Sequence, residues 1–135
     1  MSDRGSSAAE LVVITPLLMA LIGVFVFAGR LVLARQDVDD AARTALDAAV
    51  TMPDATGANT MAGITAYLTL APDDTLCSDG RTTLDTSDFA PGGIASVQVS
   101  CVISMPRLAF AGVPSSVVVT ATRSGPIEPY REMQP

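Results

Sequence analysis

Glu10 is the first residue whose position calls for a chemical explanation. It stands directly ahead of residues 11–29 (LVVITPLLMALIGVFVFAG), a run without a single charge. A carboxylate at the lip of a membrane helix is costly unless it is paired. Five positions earlier lies Gly5, followed by the small residues Ser6, Ser7, Ala8 and Ala9. A peptidase cutting after Gly5 would free the α-amine of Ser6 and make Glu10 the fifth residue of the shortened chain. The amine and the carboxylate would then neutralise each other between neighbouring subunits, as buried charges require. Gly5 and Ser6 are therefore a candidate processing site, and Glu10 a candidate assembly residue.

The other chemically capable residues are Cys77 and Cys101, both downstream of the apolar run. In an exported segment an even pair reads as a disulfide, with two buried free thiols as the alternative. Catalysis is not expected. The chain has no His for general-base work or zinc, and neither Gly-x-Ser-x-Gly nor a phosphate-binding glycine loop occurs. The acids Asp37/Asp39/Asp40 and Asp73/Asp74 lack the spacing of a calcium loop. No catalytic residue, metal ligand, cofactor or small-molecule substrate is therefore assigned. A formal net charge of −6 without a basic patch argues against nucleic acid.

The elements that must position these residues follow from periodicity. The 19 residues 11–29 would span about 28 Å as a helix, close to the ~30 Å hydrocarbon core of a bilayer. Beyond Arg30, Leu31, Ala34, Val38, Ala42, Ala45, Leu46 and Ala49 recur at spacings of three and four, one apolar stripe on a helix. Asp37, Asp40, Thr44 and Asp47 fall opposite, and Asp39 with Arg43 makes an i,i+4 ion pair of favourable order. One helix is expected from about Ser7 to Val50, stopping before Pro53. Pro16 should kink it near Val12, and Thr15 could satisfy a freed carbonyl.

A shorter helix is expected over residues 57–70, and a loop over residues 72–93, rich in turn formers. Val97, Val99, Cys101 and Ile103 then alternate with Ser96, Gln98, Ser100 and Val102, a half-buried strand with Cys101 inward. Residues 117–122 are a second β-branched run, paired antiparallel with the first. The link over residues 106–114 should fold back on the core. The upper stripe of the long helix is the natural cover for the sheet. The tail from Gly125 should be extended and exposed.

Arg4-Gly5, Glu10 and Pro16, then Gly29-Arg30, Ala34-Arg35-Gln36 and Ala41-Ala42-Arg43, resemble the TadE-like family of tight-adherence (Flp-type) pilus systems. Val97, Val99, Cys101, the run over 117–122 and Pro129-Tyr130-Arg131 are similar in pattern. The resemblance implies a pseudopilin or minor pilin, processed by a prepilin peptidase and assembled with other pilin-type subunits on a pilus assembly platform. It implies a single-pass cell-membrane protein with a cytoplasmic N-terminus and an extracytoplasmic domain, and leaves open its incorporation in a pilus. One departure concerns charge: Arg30 and Arg35 follow the run and only Arg4 precedes it, against the positive-inside tendency.

The resulting expectation is an α+β chain: a leader (1–5), a transmembrane assembly helix (6–29), its amphipathic continuation (30–52), a small extracytoplasmic domain with a short helix and an antiparallel sheet (53–124), and a tail (125–135). The main alternative is a signal-anchored extracytoplasmic interaction domain unrelated to any filament. A further one is a secretory signal cleaved after Val26-Phe27-Ala28.

Overall fold

The computed structural model describes residues 3–70, 77–104 and 115–130, with side chains from residue 8 onward. It is α+β. A long helix α1 (Asp3–Val50) is followed by α2 (Ala55–Leu70), then strands β1 (Asp79–Asp85), β2 (Ile94–Ser104) and β3 (Ser116–Pro126). The strands form one antiparallel sheet in the order β1-β2-β3. In register, Thr82 lies opposite Val99 and Cys101 opposite Val119.

The upper half of α1 carries the helical stripe. Ala34, Val38, Ala42, Ala45, Leu46 and Ala49 are all buried, joined by Ala41. Facing them from the sheet are Leu84, Ala95, Val97, Val99, Cys101, Ile103 and Val119. β2 supplies the most because it is central: its side chains alternate inward and outward along its whole length. α2 closes the core with Ala58, Ala62 and Ala66, one residue per helical turn. Small side chains at these positions let two helices and a sheet approach closely. Gly125 serves the same end on β3, where an added Cβ would stand 3.2 Å from the Leu46 side chain.

The turn between α1 and α2 follows from its residues. The Asp54 carboxylate accepts a hydrogen bond from the Gly57 amide at 2.8 Å, and its carbonyl accepts from the Ala58 amide at 3.0 Å. That is the N-cap arrangement, satisfying donors that a helix start leaves unpaired.

Two sequence expectations are corrected. Residues 72–93 were expected as loop, but they include β1. It is an edge strand with a single buried side chain, Leu84, so no apolar alternation marks it. The tail was expected to be exposed, but Ile127 is fully buried. Its amide donates to the Gly93 carbonyl at 2.9 Å, and its carbonyl accepts from the Gly92 amide at 3.1 Å. Gly92 sits at φ +81°, and a Cβ on Gly93 would collide with the Asp88 carbonyl. The turn that receives Ile127 therefore needs both glycines. The link over residues 106–114 lies outside the described residues.

Candidate assembly helix and the head that carries it

Glu10 and the apolar run share α1 with the residues that anchor the head. Nothing in the structure buries the most apolar 18-residue window of this helix. Leu11, Val12, Val13, Leu17, Met19 and Phe25 are each at least 65% exposed, which separates α1 from the core helix of a soluble protein. Among the described residues it is the one helix long and apolar enough to cross a membrane. It reads as a single N-terminal membrane anchor.

The passage from anchor to head depends on the side of the helix rather than on a residue number. Phe27 and Leu31 are half-buried against the core, whereas Val32 and Leu33 stay more than half exposed. The head therefore rests on one face of α1 from Phe27 upward. The opposite face stays apolar and open to Leu33, four residues past the charge-free run. Arg30 and Arg35 are both exposed.

Glu10 is exposed, immediately before the run, and the Gly5–Ser6 bond falls in the first turns of α1. Pro16 lies inside the helix, which continues through it. The Thr15 hydroxyl donates to the Leu11 carbonyl at 2.6 Å. The carbonyl deprived of its partner by Pro16 is that of Val12, so Thr15 does not take the role expected of it.

Cys77 and Cys101 are joined by a disulfide, with Cα atoms 5.6 Å apart. The bond ties the entrance of β1 to the centre of β2. Beside it, the Ser78 amide and hydroxyl both donate to the Val102 carbonyl, at 2.8 and 2.9 Å. The weak edge strand is thus held at its start by a covalent bond and two hydrogen bonds.

Asp39 was expected to pair with Arg43 along α1. Its hydrogen-bonded partner is instead Arg123 of β3. Nε donates to Oδ1 at 2.8 Å, and Nη2 donates to Oδ2 in a second, shorter bond. The hydrogen bonds from Arg123 hold the Asp39 carboxyl below its ordinary range, and the charges of Arg123 and Arg43 add to this against a desolvation cost. Sequence reasoning missed this pair because its members belong to different elements. Thr44, expected on the solvent side, meets Thr69 of α2 with hydroxyl oxygens 3.1 Å apart. Among the described residues no group of His, Cys, Asp or Glu could hold a metal ion.

The arrangement defines a class: an exposed apolar helix that runs without a break into a small disulfide-bonded head. The family model described as TadE-like protein matches residues 5–47, which bears out the resemblance read from the N-terminal sequence. The matched stretch covers Gly5, Glu10, Pro16 and the part of α1 on which the head is built, and it supports a tight-adherence pilus-associated protein. Neither the characterised proteins nor the solved structures compared with the chain gave a match.

Proposed function

We propose that the protein is a non-catalytic pseudopilin, or minor pilin, that takes part in assembling a tight-adherence pilus. The observation that carries this reading is the TadE-like match over residues 5–47, on a helix whose apolar surface is open for lateral packing. A prepilin peptidase on the cytoplasmic face cuts between Gly5 and Ser6. α1 stays in the bilayer with its N-terminus inside and the head outside, where the Cys77–Cys101 bond is stable. It then packs beside other pilin-type helices, and Glu10 neutralises the α-amine of a neighbour's Ser6. The same carboxylate left unpaired in lipid would cost several kcal/mol, by the usual scale of about 2.5–3.5 kcal/mol for an acid at a helix centre. The continuity of α1 through Phe27 into the head favours a retained helix over a signal cut after Ala28, since that cut would remove a residue packed on the core.

The test is the intact mass and N-terminal sequence of the membrane-extracted protein, made with the pilus system's own prepilin peptidase. A start at Ser6 supports the reading. A start at Met1 or Ser2 would favour a plain anchored interaction domain, and a start at Gly29 a secreted one. Glu10→Gln, processed as usual, should then impair pilus assembly.

A further inference from the structure

The two sides of α1 change character at different levels. On the head side, Phe27 and Leu31 are half-buried against the core. On the opposite side the apolar surface of the run continues through Val32 and Leu33, 53 and 54% exposed, and the first polar side chain there is Gln36. Arg30 and Arg35 flank the head side, about 140° apart around the helix. They are the first charges beyond the run, and both are positive in a chain of formal net charge −6. Both are exposed, and among the described residues neither has a carboxylate partner. Asp39, one turn above Arg35, is taken by Arg123.

We propose that the bilayer covers α1 as far as Leu33 on the side away from the head, and that Arg30 and Arg35 hold phospholipid phosphates of the leaflet nearest the head. Continuity identifies the occupant. The surface at Val32 and Leu33 is unbroken with that of residues 11–29, so the lipid that covers the one reaches the other. Length agrees. Residues 11–33 extend about 33 Å as a helix, slightly more than the ~30 Å hydrocarbon core. An upright helix sunk to Leu33 would carry Phe27 and Leu31, and the head packed on them, into hydrocarbon. A tilt of about 30°, within the usual range, avoids this. It reduces the helix to about 29 Å of depth and sets the two sides of a helix about 10 Å wide roughly 6 Å apart in level. The four residues from Gly29 to Leu33 make up about that same length. Charge completes the fit. The backbone at Arg30 and Arg35 then lies within about 8 Å of the hydrocarbon, beside a headgroup layer about 5–8 Å deep. An arginine can lay its stem along apolar surface and give a phosphate two parallel hydrogen bonds. The two arginines that run against the positive-inside tendency thereby gain a use on the head's side of the membrane. The inference rests on the membrane anchoring of α1 in the reading above, and not on processing or on a filament.

The test uses the full chain in vesicles of phosphatidylethanolamine and phosphatidylglycerol, with the Cys77–Cys101 bond intact. A fluorophore on Leu33→Cys should be quenched by brominated acyl chains, as one on Phe25→Cys within the run is. One on Thr122→Cys, an exposed position on the outer face of the sheet, should not be. Quenching at Phe25 with none at Leu33 would overturn this proposal alone, whereas none at Phe25 would overturn the anchor as well. In solid-state NMR, dephasing of the arginine Cζ signal by lipid phosphorus should drop in Arg30→Gln/Arg35→Gln and hold in Arg81→Gln, an exposed cation of β1. The melting temperature should stay put in both variants, since none of the three side chains is in the core. Equal dephasing in the native chain and the double variant would overturn the phosphate contact.

Discussion

Asp39 in α1 and Arg123 in β3, 84 positions apart in sequence, are joined by two hydrogen bonds between carboxylate and guanidinium. The pair links the long helix to the third strand across the head. It is half-exposed, so its contribution to stability is small.

Its pH signature has a definite sign. The Asp39 carboxyl ionises below its ordinary value of 3.8 when folded. Its contribution is complete above that value and is lost as the pH falls through the lower folded one. Between pH 5 and pH 3 the urea midpoint of the native protein should therefore drop further than that of Asp39→Asn. Arg123→Lys should fall between the native protein and the Asn variant, because an ammonium keeps the charge but cannot reproduce the two-pronged contact.

The Cys77–Cys101 bond joins residues 24 positions apart in sequence. Replacing both cysteines by Ser should cost roughly 3–4 kcal/mol on the loop-entropy account. Hydrogen exchange should then open first in β1, whose entrance the bond secures, while β2 and β3 keep their protection. Thermal unfolding and exchange of the full chain in detergent, with and without reductant, measure both effects.

Ile127 is a core residue supplied by the C-terminal segment. Ile127→Ala should lose about 2–5 kcal/mol, as large-to-small changes in cores do. Gly93→Ala should be destabilising for a different reason, the collision with the Asp88 carbonyl. Because both changes disturb one turn, the double variant should lose less than the sum of the single losses. Denaturant titration of the three variants decides this.

Asp54 tests the start of α2. Asp54→Ala removes the acceptor of the Gly57 amide and should cost about 1 kcal/mol. Asp54→Asn should recover most of that in a thermal melt, since its side-chain oxygen can accept the same bond.

Much of this molecule follows from one-dimensional pattern. A charge-free run of 19 residues is long enough for a bilayer whatever follows it, and its exposure in the fold agrees. The stripe from Ala34 to Ala49 and the alternation from Val97 to Ile103 announced their elements because each buries one face, and one-faced burial forces the periods of 3.6 and 2. The spacing of Gly5 and Glu10 was equally visible, being local. Tertiary structure alone decided the rest. β1 is polar because an edge strand that contributes one side chain to the core needs no pattern. Ile127 is buried because the Gly92–Gly93 turn comes to meet it. Asp39 had a plausible partner one turn away, yet the packing of α1 across the sheet gave it Arg123. Contacts between distant segments are set by how the layers dock, and no local period carries that information.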